Sequence, residues 1–464
     1  MPAGLHSRER WHVAAAFALG FLAFLPYPAI PAGNNSAIQF GTLLTLLLLV
    51  PVALTPWKGK PFYVALVLLV PLAVSAAKVA VTGQAGLDVS LKTLLMWALP
   101  LLTLLPAQLY APRYLMPILT GIALAALLHV AVGCWQEYVF LNGGELPLLS
   151  LYVNPSFLSV EMQARDMVRY EQRPFGLFPE PSAMSSSLAP WVLLWTAELC
   201  GLIRFPARPA RWQRWLFTTA TVGSLLLIIS SRSGHAMITL AVVVLFGALW
   251  LKKARATPRN FLATLAVFGV VLPLAIGLTV LALGDRVAGA TGTNESWVDR
   301  SYSLVVGLRM WLGTDLPTVI FGMGIGQSGP AISARAGLEA VWSVLLGYLY
   351  ESGVIGGIAL AWVGASVWRA WRASRMSLVF AAIFVVWLVG VTVTTSYNQL
   401  LPIWLALGLF TVWPAVFPAV DAGQPRARAT PPADESAPSS PNSGPDRRDG
   451  VNGLTLTPWG RGLR

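Results

Sequence analysis

The chain has 464 residues, of which 56% are hydrophobic and only 11% are charged, and its formal net charge is +12. Together with a mean hydropathy of +0.65, this composition excludes an ordinary water-soluble domain, because one soluble core cannot cover so much apolar surface. An all-α polytopic membrane protein is therefore predicted.

Apolar runs of the roughly 20 residues needed to cross a bilayer predict about twelve transmembrane helices. In chain order they begin near Trp11, Ala37, Phe62, Leu91, Tyr114, Ser182, Trp215, His235, Phe261, Val341, Met376 and Leu401. The first run has no small-residue cleavage site, so we expect it to be retained as an anchor. Residues 1–420 are then the transmembrane domain, with two large outer loops at 141–181 and 283–340. Residues 421–464 are rich in Pro, Ser, Ala and Arg and are predicted to be a disordered tail.

The basic charge has a pattern along the chain. Most cations before the tail fall in loops that lie inside if the amino terminus is cytoplasmic, and the segment 204–215 is especially rich in arginine and tryptophan. This is the distribution that the positive-inside rule describes for short loops. The charge therefore indicates orientation, with both termini cytoplasmic, and does not indicate a nucleic-acid partner.

The first outer loop carries a candidate anion-binding series. Arg165, Arg169 and Arg173 are spaced by four residues, so a helix ending before Pro174 would place them on one face. For the first two, an amphipathic helix at the lipid surface is the alternative.

Arg173 opens the segment Arg-Pro-Phe-Gly-Leu-Phe-Pro-Glu-Pro, which leads into a predicted span. Gly176, Pro179 and Pro181 should bend the chain there. Glu180 could accept a proton from a hydroxyl group, or it could complement the positive end of the following helix.

A second candidate is the sequence Ser-Ser-Arg-Ser-Gly at residues 230–234, which joins two apolar runs almost without a loop. An arginine at such a turn is costly unless it faces water or an anion. We therefore predict that Arg232 binds an anion, with a snorkelling arginine as the alternative and His235 as a structural neighbour. Cys134 and Cys200 are predicted to lie too far apart for a disulfide.

The second outer loop contains Arg300, Arg309 and the sequence Phe-Gly-Met-Gly-Ile-Gly at 321–326, which we interpret as a flexible turn. The two arginines are candidate anion ligands or solvated charges. Glu351 lies in the tenth predicted span, where a carboxylate is a functional candidate, or packs against a polar neighbour such as Tyr348 or His129. Glu137 and Lys78 are predicted to pair at the outer ends of their spans.

Several of these segments resemble the O-antigen ligase and polymerase superfamily. Trp342-Ser343, followed after nine residues by Gly353-Val354-Ile355-Gly356, is similar to its His-[Asn/Ser/Gln]-x9-Gly-x-x-Gly signature. Residues 173–181 resemble its Arg-x-x-Gly-x-Phe-x-x-Pro segment. The hairpin at 230–234 and the series from Arg300 to Gly326 also follow the order found in that superfamily.

The resemblance implies a metal-independent, GT-C-like glycosyltransferase of the bacterial inner membrane, which needs no cofactor. Its implied substrate is an undecaprenyl-pyrophosphate-linked oligosaccharide at the periplasmic face, and a chain-length regulator and a flippase are candidate protein partners. The residues assigned to catalysis are Glu180, Arg232 and Arg173. The residues assigned to substrate binding are Arg300, Arg309, Trp342, Glu351 and Arg169.

Trp342 separates the members of that superfamily. It stands where ligases carry histidine, and an indole ring cannot accept a proton. A polymerase that joins lipid-linked repeat units is therefore favoured over a ligase that transfers the glycan to a lipid or protein acceptor, with Trp342 as an aromatic platform for a sugar. The alternative from another class is a transporter or flippase that moves an anionic substrate through the same basic cavity.

Overall fold

The computed structural model describes residues 3–31, 37–54, 62–83, 87–143, 173–253, 295–336, 343–374, 377–394 and 398–417. The chain divides into a unit of Met1–Ala419 and a unit of Val420–Arg464, and every described residue belongs to the first. The predicted span near Phe261, most of the loop 141–181 and the predicted disordered tail lie outside the described residues, and so do Arg169 and Trp342.

The described chain is mostly helical. Its helices are α1 Ala3–Leu22, α2 Phe40–Leu54, α3 Phe62–Thr82, α4 Leu87–Leu101, α5 Leu104–Asn142, α6 Pro181–Leu199, α7 Arg211–Ser230, α8 Gly234–Lys253, α9 Glu295–Leu312, α10 Leu316–Phe321, α11 Ser328–Ala336, α12 Val344–Ala373, α13 Ser377–Val389, α14 Leu401–Thr411 and α15 Trp413–Val416. A π-helical turn, Gly390–Thr394, extends α13, and β1 Ala29–Pro31 pairs antiparallel with β2 Ala37–Gln39.

Three stretches are long and apolar enough to cross a membrane: Tyr63–Thr82, Ser90–Asn142, which joins α4 to α5, and Val344–Ala373. Five shorter apolar helices accompany them among the described residues. The prediction of a mostly helical chain with helices that could span a membrane is thus confirmed, and the described residues contain three such stretches. The second predicted span begins as strand β2 and becomes helical only at Phe40.

Close helix packing depends on glycine. A side chain at Gly20 would overlap the backbone of Ile118, and one at Gly121 would overlap that of Phe17, so the backbones of α1 and α5 nearly touch. The two helices run parallel, because His12 lies beside Tyr110 and Phe24 lies beside His129. Small residues permit this approach in membrane bundles, where close van der Waals packing replaces the hydrophobic effect. The carboxyl ends of α1 and α5 therefore lie at the same end of the bundle.

Helix α6 occupies the centre of this arrangement. Every residue from Arg173 to Ala197 is buried, and α6 packs against α7, α8 and α13. Proline suits the first position of α6, because its fixed φ matches the helix and its missing N–H would have had no hydrogen-bond partner within the helix. The amino end of α6 and the hairpin between α7 and α8 therefore meet inside the bundle.

The predicted orientation can be tested by labelling. In a chain without Cys134 and Cys200, which are both free thiols, cysteines replacing the exposed Asn142 and Leu312 should react with an impermeant thiol reagent in intact cells. A cysteine replacing the exposed Arg208 should react only after the cells are opened, because the positive-inside rule puts its loop in the cytoplasm. Labelling of position 208 in intact cells would show that the predicted orientation is inverted.

Candidate functional site

The segment from Arg173 to Glu180 enters the bundle as a bent, non-helical stretch. Gly176 has a φ of +59°, in the left-handed region that glycine adopts without strain. Glu180 is in extended conformation at the N-cap of α6, and Pro181 begins the helix. The bend predicted from the glycine and prolines is present.

Two side chains of α5 fix this bend. The amide oxygen of Gln136 accepts hydrogen bonds from the backbone N–H groups of Phe175 at 3.0 Å and Gly176 at 2.9 Å, and its nitrogen donates to Gly176 O at 2.9 Å. Nδ1 of His129 accepts from Leu177 N at 3.1 Å. Buried backbone groups outside a helix need such partners, so α5 dictates the shape of the segment.

His129 does not contact Glu351, the partner weighed for it from the sequence. Its other nitrogen, Nε2, donates to the carbonyl oxygen of Phe24 at 2.7 Å, so the ring joins α1 to the bent segment. Gln136 was not singled out from the sequence. The signal was its spacing of seven residues from His129, which puts the two polar side chains on one face of an apolar helix.

The structure brings the two principal arginines together. Arg173 is 8% exposed, and its Nη1 donates to the backbone carbonyl oxygen of Arg232 at 3.4 Å. Arg232 itself has an exposed side chain and a φ of +50°, the only positive φ at a non-glycine residue in the described ranges. Non-glycine residues hold such a conformation only when their surroundings impose it, and such residues cluster at functional sites.

Glu137 belongs to this cluster, and its predicted pairing with Lys78 is wrong. The charged neighbour of Glu137 is Arg232. Lys78 instead donates to the carbonyl oxygen of Gly322 at 2.6 Å and to Thr318 Oγ1 at 3.2 Å. The arginine hairpin therefore has a half-buried carboxylate within electrostatic range, on the helix that also carries Gln136.

Glu180 is 1% exposed and accepts a hydrogen bond from the hydroxyl of Ser182. One turn further, Ser185 Oγ and Ser231 Oγ are 2.9 Å apart and tie α6 to the hairpin beside Arg232. His235 is fully buried beyond it, and no described group hydrogen-bonds to either ring nitrogen. The first turn of α6 and the hairpin thus form one buried polar layer behind the arginines.

Glu351 lies in a second cluster. Its carboxylate accepts from Trp97 Nε1 at 3.1 Å and from Ser328 Oγ at 2.7 Å, while Tyr348, another partner weighed from the sequence, donates to Leu68 O at 2.8 Å instead. A buried carboxylate is costly without such donors. Through these two hydrogen bonds, Glu351 of α12 links its helix to α4 and α11.

The glycine-rich turn at 321–326 is packed against this cluster, whereas the sequence predicted a flexible turn. Helix α12 is kinked at Gly353, whose φ is +66°, and Met323 N donates to Tyr350 O at 2.8 Å beside the kink. A Cβ at Gly322 would lie 2.1 Å from Glu351 O, and one at Gly353 would lie 2.4 Å from Ile320 O. Gly353 therefore provides the space into which this turn fits.

The remaining predicted ligands lie elsewhere or are not described. Arg309 is exposed on α9, a helix held to α12 by the bond from Tyr350 Oη to Leu304 O at 2.9 Å. The side chain of Arg300, like Arg169 and Trp342, lies outside the described residues. Within the described ranges, no group of three His, Cys, Asp or Glu side chains could hold a metal ion.

Comparison of the chain with models of protein families, with curated proteins and with solved structures found no match.

Proposed function

We propose that this protein is a glycosyltransferase that polymerises pyrophosphate-linked oligosaccharide repeat units at the arginine cluster. The observation that carries the proposal is the contact between Arg173 and Arg232, two residues 59 positions apart. The buried guanidinium of Arg173 binds the backbone of the exposed Arg232. Arg232 has a backbone conformation that L-residues rarely adopt. This is the preorganisation expected where a protein must receive an anion.

The chemistry requires charge neutralisation at the leaving group. The bond from the anomeric carbon of the growing glycan to the pyrophosphate oxygen breaks, and a new bond forms to a hydroxyl oxygen of the incoming repeat unit. Negative charge develops on the departing pyrophosphate, which arginine can neutralise with paired hydrogen bonds. We assign this contact to Arg232, whereas Arg173 both contributes charge and fixes the hairpin.

The attacking hydroxyl must lose its proton to a base. Glu180, assigned from the sequence, is 1% exposed and bonded to Ser182, so its position suits a role at the start of α6, where its charge complements the helix dipole. Glu137 is half-buried and within electrostatic range of Arg232, and its exposed part leaves access for a sugar hydroxyl. Accessibility therefore favours Glu137 as the base and Glu180 as a positioning residue.

The other parts of the proposal rest on the resemblance. They are a GT-C-like bundle of about twelve spans in the bacterial inner membrane, with cytoplasmic termini and the site at the periplasmic face. The substrate is an undecaprenyl-pyrophosphate-linked oligosaccharide. Trp342 in place of a ligase histidine favours polymerisation over transfer to a different acceptor.

A deletion strain separates polymerase from ligase. Without this protein, cells should still build and export single repeat units, because other proteins perform those steps, but they should make no long glycan. Electrophoresis of surface and secreted glycan should then show at most one unit per acceptor, and the intact gene should restore the ladder. Accumulation of long lipid-linked polymer that is not attached to an acceptor would instead identify a ligase.

A further inference from the structure

A groove of about 640 Å³ opens on the surface of the bundle between α1, α5 and α7. It is lined near the amino ends of α1 and α7, whereas the arginine hairpin lies at the carboxyl end of α7. The helical rise of 1.5 Å per residue puts the two roughly 27 Å apart. The groove is therefore separate from the candidate site.

The lining of the groove changes character along α1. Glu9 and Arg10 lie at one end, and Val13, Ala14 and Phe17 continue along the same helix as an apolar wall. Leu124 of α5 extends that wall. A groove with charge at one end and apolar residues further in matches the shape of a phospholipid, whose head group and acyl chain lie in that order.

The polar groups of the inner wall are already satisfied by the protein. Gln213 Nε2 donates to Thr120 Oγ1 at 3.1 Å, and the Gln213 oxygen accepts from Ala210 N at 2.9 Å. Thr120 Oγ1 in turn donates to Met116 O at 2.7 Å. Among the described lining residues, recognition of a head group is consequently left to the two charged ones, Glu9 and Arg10, which are both exposed.

A carboxylate and a guanidinium side by side select a particular head group. Arg10 complements a phosphate, and Glu9 complements a primary ammonium group attached to it. Glu9 is the one carboxylate and Arg10 the one cation among the described lining residues, so the lining itself has no net charge. The exposed Trp212 lines the same groove, and tryptophan is enriched at the level of lipid head groups.

We propose that this groove is a binding site for a zwitterionic aminophospholipid of the phosphatidylethanolamine type. Its phosphate pairs with Arg10, its ammonium pairs with Glu9, and one acyl chain lies along Val13, Ala14 and Phe17. The site is independent of the glycosyltransferase activity, because it shares no residue with the arginine cluster.

Native mass spectrometry of the purified full chain tests this directly. The chain is exchanged into an equimolar mixture of phosphatidylethanolamine, phosphatidylcholine and phosphatidylglycerol, and the lipid retained is counted. Phosphatidylethanolamine should be retained about fivefold over each of the others, the preference expected for one ionic contact of about 1 kcal/mol. Equal retention of phosphatidylglycerol, or of phosphatidylcholine, by the unmodified chain would overturn the proposal.

Three surface variants assign the contacts. Glu9→Gln should remove the preference for phosphatidylethanolamine over phosphatidylglycerol, and Arg10→Gln should weaken retention of both lipids. Ala14→Trp should fill the groove and abolish the selective retention, and its exposed position allows the chain to fold. Arg369→Gln, at an exposed site on α12, is the matched control and should change nothing. Persistent selectivity in Glu9→Gln or in Ala14→Trp would exclude this groove as the site.

Discussion

Replacing Arg232 with glycine should abolish polymer formation while making the protein more stable. Glycine accepts a φ of +50° without the steric cost that a side chain brings, so the variant should gain about 1 kcal/mol of folding free energy. The same change removes the guanidinium that we assign to the leaving pyrophosphate, and loss of such a charge-stabilising contact lowers the rate by about a hundredfold or more. Thermal unfolding in detergent and glycan ladder length measure the two effects separately.

Arg232→Lys separates charge from geometry in the same experiment. Lysine keeps the positive charge but cannot offer two parallel N–H groups, so most activity should still be lost. Arg369→Lys is the control, because Arg369 is exposed and, among the described residues, bonds only within its own helix, to Ala365 O and Ser366 Oγ. Near-normal polymer from Arg232→Lys at normal protein level would leave Arg232 only a diffuse electrostatic role.

Gly353→Ala should be among the most destabilising single changes in α12. The alanine would need a φ of +66°, and its Cβ would lie 2.3 Å from Gly322 N and 2.4 Å from Ile320 O, both backbone atoms that cannot rotate away. Strain of the backbone and overpacking together should cost about 3 kcal/mol. Loss of the folded, monodisperse fraction after stepwise heating provides the measurement.

Gly364→Ala on the same helix is the matched control. Apart from the backbone of its own helix, its added Cβ would meet no described heavy atom within 4 Å. Alanine is favoured over glycine in a helix by about 1 kcal/mol, so this variant should be unchanged or more stable. Equal stability of the two variants would mean that the turn at 321–326 does not pack into the kink.

The sequence singled out the two arginines that meet in the structure, but it did not single out the residues that support them. Arg173 and Arg232 could be identified because each lies in a short segment whose prolines, glycines or hydroxyls are informative by themselves. The bend at Gly176 followed from local backbone preferences in the same way. Their meeting is a tertiary contact between segments 59 residues apart, and no local pattern predicts it.

The predictions of partners for the buried polar groups were wrong. His129 was weighed as a polar neighbour of Glu351, and Glu137 was paired with Lys78 because both lie near the outer ends of their predicted spans. Depth does not specify which helices are adjacent. Helix adjacency is set by close approach at residues such as Gly20 and Gly121, which look alike in sequence to any other small residue in an apolar run.

The glycine-rich turn shows a related limit. Three glycines in six residues suggested mobility, since glycine is permissive of many conformations. In the structure, Gly322, Gly324 and Gly326 have positive φ values, and the turn is held by Lys78 and by the backbone of Tyr350. Here the glycines allow one fixed conformation and do not make the turn mobile. Only the tertiary contacts of the turn distinguish these two roles of glycine.

Reconstitution of the purified protein tests the central proposal most directly. The full chain, in vesicles, is supplied with a synthetic undecaprenyl-pyrophosphate-linked repeat unit, and the products are resolved by length. We expect lipid-linked chains of two and more units from the unmodified protein, and only the single unit from Arg232→Gly and from Glu137→Gln. Movement of the repeat unit across the vesicle membrane with no gain in length would contradict the account, and it would identify a transporter instead.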